Sequence, residues 1–440
     1  MSPHQIAPAL WAGSPDWRRL NLIFLLFCTL NFGVPVVLAQ IRELTLTDKI
    51  PPAVAATADS PPHADQWSAP ALAALATAGN NQANLRLALD NVPPAQRRGL
   101  EFLLANMPQR DLESLSSEFL LTNVRLAYAA RDTAPWGKDL SEELFFNYIL
   151  PYANLDEKRE DWRTEFRQLA FPLVKECRTP TEAAIRLNRE FFPLLKVRYS
   201  TKRKAPNQSP SESRASGYAT CTGLAIILVD VCRAVGVPAR VVGTPRWSDN
   251  SGNHTWVEIW DQGWHFTGAN EQDNRGLDHG WFTGRAAQAK SDPPRYAIYA
   301  ASFARTERYF PLVWNRGDRT VFAEDVTRRY VPADPLAAPA TMATVRVRVV
   351  NARGERVATT ITVAQEGTDK PALRGQSRDE TADINDHFTC ELIPHNRYTA
   401  QAEMAAISFT TPAAGAEQTI TVELPQTQPT PAIQPAVEKK

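Results

Sequence analysis

The apolar run from Leu224 to Ala234 constrains the fold of this 440-residue chain more than any other feature. Its apolar residues recur at spacings of three and four, which is the period of a helix with a buried face. Gly236 and Pro238 follow, as is typical just past a helix end. Cys221 comes directly before the run, so we predict that it lies at the helix N-terminus. There the unpaired N–H groups and the helix dipole favour a thiolate over a thiol.

The residues after this helix have the pattern of antiparallel strands. Residues 239–243 are short and β-branched, and residues 254–260 alternate in polarity before a turn and a returning strand at 264–267. His254 begins the second of these strands. A histidine facing a cysteine at a helix start is what a thiol nucleophile needs, because the imidazole takes the thiol proton and later returns it to the leaving group. Either residue alone would more often be structural.

Two segments carry a family resemblance: CTGLAIILVDVCRAVGVPARVV and NHTWVEIWDQGWHF. They resemble the transglutaminase-like superfamily, which has the papain-type cysteine protease fold. Cys221, residues 236–240 and residues 254–258 match the family pattern position by position, and the resemblance covers roughly residues 170–335. It implies that Cys221 is the catalytic nucleophile and His254 its general base.

The third member of the implied triad departs from the family pattern. The family places an Asp four residues after the tryptophan of the returning strand, and here that position is Gly268. Asn270, Glu271 and Asp273 are the nearby candidates for orienting the imidazole. We favour Glu271, brought into place by a bulge at Gly268 and Ala269.

Two groups are candidates for donating hydrogen bonds to an oxyanion. The backbone N–H of Cys221, at a helix start, is the natural first donor. A side-chain donor from upstream is typical of papain-like sites, and Gln208 is the residue available for it. A solvated loop position for Gln208 is an equally good interpretation.

Composition excludes some classes of function. Lys plus Arg and Asp plus Glu both total 48, so no net field favours nucleic acid. His254, His265, His279 and Cys221 show no tight ligand spacing, so we expect neither a metal nor another cofactor. The cysteines that follow residue 39 are too few and too widely spaced for a disulfide framework, although a bridge between Cys177 and Cys390 stays open.

We predict an α+β protein: a papain-like, transglutaminase-like core with an N-terminal helical segment and a C-terminal β-sandwich. A positive flank, an apolar core and a small-residue cleavage site indicate an export signal at the N-terminus. Short alternating strands near the C-terminus indicate an immunoglobulin-like module without a cluster of catalytic residue types. The predicted organisation is a signal peptide at 1–39, a linker at 40–80, helices at 81–165, the catalytic domain at 166–335, the sandwich at 341–425 and a disordered tail at 426–440.

These features predict an exported amide or peptide hydrolase, or an acyltransferase, that acts through a thioester on Cys221. We expect a periplasmic or extracellular location and a peptide or protein substrate at the cell surface. Neither nucleic acid nor a membrane span after signal removal is expected. The alternative is a catalytically degenerate fold that binds a peptide or the cell surface.

Overall fold

The computed structural model describes residues 67–272, 275–332 and 341–425. The predicted signal at 1–39, most of the predicted linker and the predicted tail at 426–440 lie outside these residues. None of the helices in the described ranges combines the length and the apolar character needed to cross a membrane.

The N-terminal part is helical, as predicted, and its leucine stripes meet in one hydrophobic core. The prediction of a linker up to residue 80 is wrong at its end, because a helix begins at Ala69. Its Leu75 and the preceding Trp67 are buried in this core, and Pro70 in the first turn favours a helix start. The helices of this part are α1 (Ala69–Thr77), α2 (Gln82–Asn91), α3 (Arg97–Asn106), α4 (Gln109–Leu112), α5 (Ser117–Thr133) and α6 (Glu142–Tyr148).

The next elements surround the helix that begins at Cys221. They are α7 (Arg163–Val174), α8 (Pro180–Leu195), β1 (Arg198–Tyr199), α9 (Pro210–Ser216), β2 (Tyr218–Ala219) and α10 (Cys221–Ala234). The helix α10 is confirmed and ends at Ala234, two residues before Gly236, whose φ of 83° suits glycine. It is buried on all sides rather than on one face, because α7, α8 and α5 cover the side opposite the sheet. The helix α9 follows directly after Gln208 and Ser209.

The sheet that faces α10 is antiparallel and has the order β5-β4-β3-β6-β8-β7 in the described residues. The neighbouring strands β3 and β4 pack directly on α10. The starts of α10 and β4 meet, since the hydroxyls of Thr222 and Thr255 are 3.0 Å apart. The strands are β3 (Ala239–Thr244), β4 (His254–Trp260), β5 (Trp264–Thr267), β6 (Tyr299–Ser302), β7 (Arg308–Tyr309) and β8 (Phe322–Asp325), with short helices α11 (Thr283–Ala286) and α12 (Thr327–Tyr330).

The C-terminal part is a β-sandwich with its own apolar core of alternating inward residues. One sheet has the order β11-β10-β13-β14 and the other β12-β9-β15, in which β9 and β15 are parallel. The strands are β9 (Ala343–Val350), β10 (Thr360–Gln365), β11 (Leu373–Gln376), β12 (Phe388–Leu392), β13 (Arg397–Ala402), β14 (Ala405–Thr410) and β15 (Glu417–Glu423). The predicted α+β class with helices first and a sandwich last is confirmed.

Candidate active site

The thiol of Cys221 lies in the first turn of α10, as predicted. Thr220 caps this helix, since its Oγ1 accepts the Gly223 N–H at 3.0 Å. The backbone N–H groups of Thr222 and Thr255 both donate toward the Cys221 sulfur. The hydroxyls of these two threonines are 3.0 Å apart, which ties the start of α10 to β4. The protein therefore presents two fixed donors to a sulfur at a helix N-terminus, an arrangement that stabilises negative charge there.

His254 is the first residue of β4, and its ring lies between two carboxylates. Its Nε2 is 3.5 Å from Glu271 Oε2, and its Nδ1 is 3.7 Å from Asp383 Oδ2. Neither ring nitrogen has a hydrogen-bond partner among the described residues, although the side chain is fully buried. Trp281 and Phe282 pack on the ring at centroid distances of 4.6 and 4.9 Å. These aromatic walls fix the plane of the imidazole and exclude water from it.

Glu271 is the candidate that the structure places beside His254. A tight turn at the end of β5, rather than the predicted bulge, brings it there: the Glu271 N–H donates to the Gly268 oxygen at 3.4 Å. Asn270 takes φ 59° in this turn, and its N–H donates to Asn188. Trp281 Nε1 donates to Glu271 Oε2 at 3.0 Å and so fixes the carboxyl group. Asn270 itself is used in the turn, and Asp273 lies outside the described residues.

Gly268 makes room for this carboxyl group. A Cβ at position 268 would lie 2.8 Å from Glu271 Cβ and closer still to its Oε2. Gly268 stands at the family's Asp position and has no side chain, so Glu271 occupies the space that a side chain there would take.

We expect Gly268→Ala to displace Glu271 and to slow acylation of Cys221 by about 10- to 100-fold, since a shift of about 1 Å costs on that order. The measurement is the single-turnover rate with a reactive ester. Gly284→Ala is the matched control, because an added Cβ at position 284 would have no other atom within 4 Å. Equal rates in the two variants would contradict the role of Glu271.

Asp383 is the site residue that the sequence reasoning missed. It lies in the loop between β11 and β12 of the sandwich, a module predicted to carry no cluster of catalytic types. The Cys221 sulfur, a His254 ring nitrogen and an Asp383 carboxylate oxygen all lie within 4.8 Å of one another, a grouping that could hold a metal ion. No local pattern in the sequence signals this contact, because a β-sandwich loop is brought to the site only by tertiary packing.

The Asp383 loop is held against the catalytic domain by hydrogen bonds. The Ile384 N–H donates to Tyr199 Oη at 3.1 Å, and Asn385 Nδ2 donates to the Asn253 oxygen at 3.3 Å. From the sandwich side, the Arg356 guanidinium donates to the Asp383 carbonyl oxygen at 2.8 Å. The loop thus covers the thiol in a defined position.

Burial and the two carboxylates set the protonation of the site. Burial, and then the charges of Asp383 and Glu271, raise the pKa of Cys221 well above its ordinary value. Burial lowers the pKa of His254 to about 4 and raises that of Glu271 to about 8, the latter with help from Asp386. With Asp383 in place, the site is therefore a neutral thiol beside a neutral imidazole. The helix start alone predicts a lowered pKa for the thiol, but burial and the nearby carboxyl groups raise it instead.

We expect Asp383→Asn to lower the pKa of Cys221, because the carboxylate that opposes the thiolate is lost while the loop keeps its polar contacts. Alkylation by iodoacetamide at one alkaline pH should become about tenfold faster or more, which corresponds to about one pKa unit. Asp379→Asn in the same loop is the matched control, since its carboxylate accepts from Thr381 instead. An unchanged rate for Asp383→Asn would show that Asp383 does not act on the thiol.

The side chain of Gln208 makes hydrogen bonds within its own loop instead of acting as the predicted oxyanion donor. Its Oε1 accepts from the N–H groups of Lys204 and Ala205, at 2.9 and 3.2 Å. Its Nε2 donates to Ser216 Oγ and to the Tyr218 oxygen, both at 3.2 Å. Because both ends of the amide are used in shaping the loop, the prediction of an oxyanion donor at Gln208 is wrong in this arrangement. The backbone N–H of Cys221 stays the predicted donor.

The matched motif residues Arg240 and Glu258 pair across β3 and β4. The register places them opposite each other, and their side chains form a buried ion pair with N···O 2.7 Å. Glu258 also accepts from Tyr330 Oη at 2.7 Å, and Arg240 also reaches Glu324 at 3.0 Å. This network fixes the strand that begins with His254.

A thiol at a helix start, close to a histidine on a strand packed against that helix, is the arrangement expected of a papain-like core. Residues 167–269 match the family described as the Transglutaminase-like superfamily, so this part of the chain is a transglutaminase-like domain. The predicted family resemblance is confirmed.

Similar solved structures include three from different sources. One is a candidate cysteine protease from Cytophaga hutchinsonii, with 19% identity, TM-score 0.25, and coverage of 32% of this chain and 46% of that chain. Red sea bream transglutaminase shows 10% identity, TM-score 0.31, and coverage of 63% and 66%. A candidate protease from Parabacteroides distasonis shows 12% identity, TM-score 0.23, and coverage of 56% and 37%. The chain thus spans 66% or less of the length of each. None of the curated proteins compared matches the sequence.

Proposed function

We propose that this protein is a cysteine enzyme that breaks an amide bond through a thioester on Cys221. The observation that carries the proposal is the order of groups at the site: a helix-start thiol with two N–H donors, then His254, then Glu271 fixed by Trp281. The match of residues 167–269 to a superfamily that includes cysteine peptidases and transglutaminases supports the same chemistry.

The proposed reaction has two halves. His254 takes the thiol proton, the thiolate attacks the carbonyl carbon, and the C–N bond breaks as His254 gives that proton to the leaving amine. The acceptor then attacks the thioester with His254 as base, and the carbon–sulfur bond breaks to restore the thiol. Water as acceptor makes the enzyme a hydrolase, and an amine makes it an acyltransferase. We favour water, because the sequence resembles the superfamily in general rather than its dedicated cross-linking members.

Asp383 limits when this reaction can begin. Its carboxylate raises the pKa of the thiol, so attack on a substrate requires that the loop moves away or that Asp383 is protonated. In the proposed cycle, substrate entry and movement of this loop are coupled. The export signal predicted at 1–39 would carry the enzyme out of the cytoplasm, where its substrate would be a peptide or protein at the cell surface.

A second candidate is a binding module that has kept the fold and lost the reaction. The raised pKa of Cys221 and the loop that covers it favour this alternative. It predicts a thiol that never forms a covalent adduct with an amide substrate.

The test is to trap the acyl-enzyme. The full chain is incubated with a mixture of synthetic peptides, quenched in acid and measured by intact-mass spectrometry, with Cys221→Ser as the control. The proposal predicts a mass increase that depends on Cys221 and that hydroxylamine removes. Added glycine methyl ester then separates the acceptors, since an acyltransferase yields mainly the amide and a hydrolase mainly the acid. Absence of any adduct across the peptide mixture, with a folded protein, would favour the binding module.

A further inference from the structure

A groove of about 510 Å³ lies on the catalytic domain, which supplies all of its lining residues. Its lining residues lie in four short segments: Pro245 and Arg246; Pro294, Arg295 and Tyr299; residues 308–313; and Arg316 and Arg319. Tyr309, Pro311 and Leu312 supply an apolar floor between the polar rims. A concave site of this size with an apolar floor fits a segment of extended chain rather than a flat surface.

The rims of the groove carry one sign of charge. Five exposed arginines line it and no acidic side chain does, although the whole chain has as many acids as bases. In the described residues none of the five pairs with a carboxylate, whereas Arg240 and Arg346 elsewhere each pair with two. The five are Arg246, Arg295, Arg308, Arg316 and Arg319.

Two acidic residues close in sequence make hydrogen bonds to threonines and no ion pair with these arginines in the described residues. Asp318 Oδ1 accepts from the N–H and the hydroxyl of Thr320, and Asp325 Oδ1 accepts from those of Thr327. Arg319 is already held in position, because its Nη1 donates to the carbonyl oxygens of Arg316 and Asp318 at 3.0 and 2.7 Å. At least one guanidinium is therefore ordered before any ligand arrives, which reduces the entropy lost on binding.

A small cleft beside His254 adjoins the groove. This cleft includes His254, Asn253 and Thr244, and it shares Phe310, Pro311 and Val313 with the groove. Gly243 allows this contact, since a Cβ there would lie 3.1 Å from the Phe310 ring. A peptide in the groove therefore leads toward the residue that acts on the amide bond.

We propose that the groove binds an acidic segment of the peptide substrate. Aspartate or glutamate side chains would take the guanidinium groups, which match carboxylates in a two-pronged geometry, and the apolar floor would take the chain between them. This inference rests on the proposed function and names its substrate class. It commits to a peptide because the groove is concave and opens toward the site of amide chemistry.

Binding is tested without catalysis, in the full chain with Cys221→Ser. The probes are two fluorescent peptides of equal length, one with several aspartate and glutamate residues and one with asparagine and glutamine in their place. Fluorescence anisotropy should show tighter binding of the acidic peptide, and added salt should weaken it because the charges are exposed. Arg246→Gln with Arg316→Gln should weaken that binding about fivefold, the scale expected for two exposed pairs.

Arg125→Gln with Arg374→Gln is the matched control, since it removes the same charge at exposed positions elsewhere. Equal affinity for the two peptides, or an equal effect of the control pair, would overturn the inference. So would tighter binding of an RNA oligomer or of anionic lipid vesicles than of the acidic peptide. Because the probe is bound and not cleaved, a missing acyl-enzyme with intact acidic-peptide binding would count against the proposed function alone.

Discussion

Replacing His254 by alanine is expected to slow acylation of Cys221 by about 10⁴- to 10⁶-fold, the range seen when one member of a catalytic triad is removed. The reason is geometric: a ring nitrogen of His254 lies within 4.8 Å of the Cys221 sulfur, and the Nε2 of the ring lies 3.5 Å from Glu271, as the proposed proton transfer requires. The measurement is the single-turnover rate with an activated ester, followed by intact mass.

His265→Ala is the matched control for this prediction. His265 lies on the neighbouring strand β5 and pairs with Asp278 at 2.7 Å, so the substitution removes an imidazole outside the site. Its rate should stay within about twofold of the unchanged protein, as expected for a substitution at a partly exposed position. Loss of a triad member should lower the acylation rate by several powers of ten. A rate for His254→Ala within about tenfold of the His265→Ala rate would therefore contradict the proposed mechanism.

Arg240→Ala is expected to lower the free energy of unfolding by about 3–5 kcal/mol, because it leaves the Glu258 carboxylate buried without its closest cation. The Arg240 side chain is fully buried, and its guanidinium also stacks on Trp264 at 3.8 Å. The measurement is urea denaturation followed by tryptophan fluorescence. Arg329 and Tyr330 still contact Glu258, which limits the loss.

Two controls separate charge from packing. Arg98→Ala removes an exposed pair with Glu142 and should cost no more than about 1 kcal/mol. Arg240→Met with Glu258→Leu removes both buried charges and should recover part of the stability lost in Arg240→Ala. If Arg240→Ala costs no more than Arg98→Ala, the buried pair does not stabilise the core.

The central elements of the site are predictable because each has a local signature. The three- and four-residue period indicates α10 and places Cys221 at its start. The two-residue alternation indicates β4 and places His254 at the near end of the sheet. Both residues lie within one segment whose pattern is set by burial against its own neighbours, so propensity and packing agree.

Glu271 and Gly268 are harder to predict for a physical reason. A missing side chain at the family's Asp position predicts a defective site when the sequence alone is considered. In the structure the same glycine is the space into which Glu271 folds back, because a turn with Asn270 at positive φ reverses the chain. Sequence spacing carries no information about such a return of the chain within four residues.

Asp383 and helix α1 depend on contacts between distant parts of the chain. The Asp383 loop has no pattern of its own that distinguishes it from any other sandwich loop, and only docking on Tyr199 and Asn253 brings it to the thiol. The first helix lies in a stretch at 41–80 whose alanine and proline content is typical of a linker. The burial of Trp67 and Leu75 depends on the other helices that pack on them.

The most direct test of a catalytic thiol is the pH dependence of Cys221 alkylation in the full chain, mapped by mass spectrometry. It is measured in the Asp383→Asn variant, which lacks one of the charges that raise the pKa of the thiol, with and without His254→Ala. We predict that Cys221 titrates at a lower pH with His254 present than with alanine in its place, because the imidazole takes the thiol proton. A thiol that titrates identically with and without His254 would contradict the catalytic pair and leave a binding module as the function of this fold.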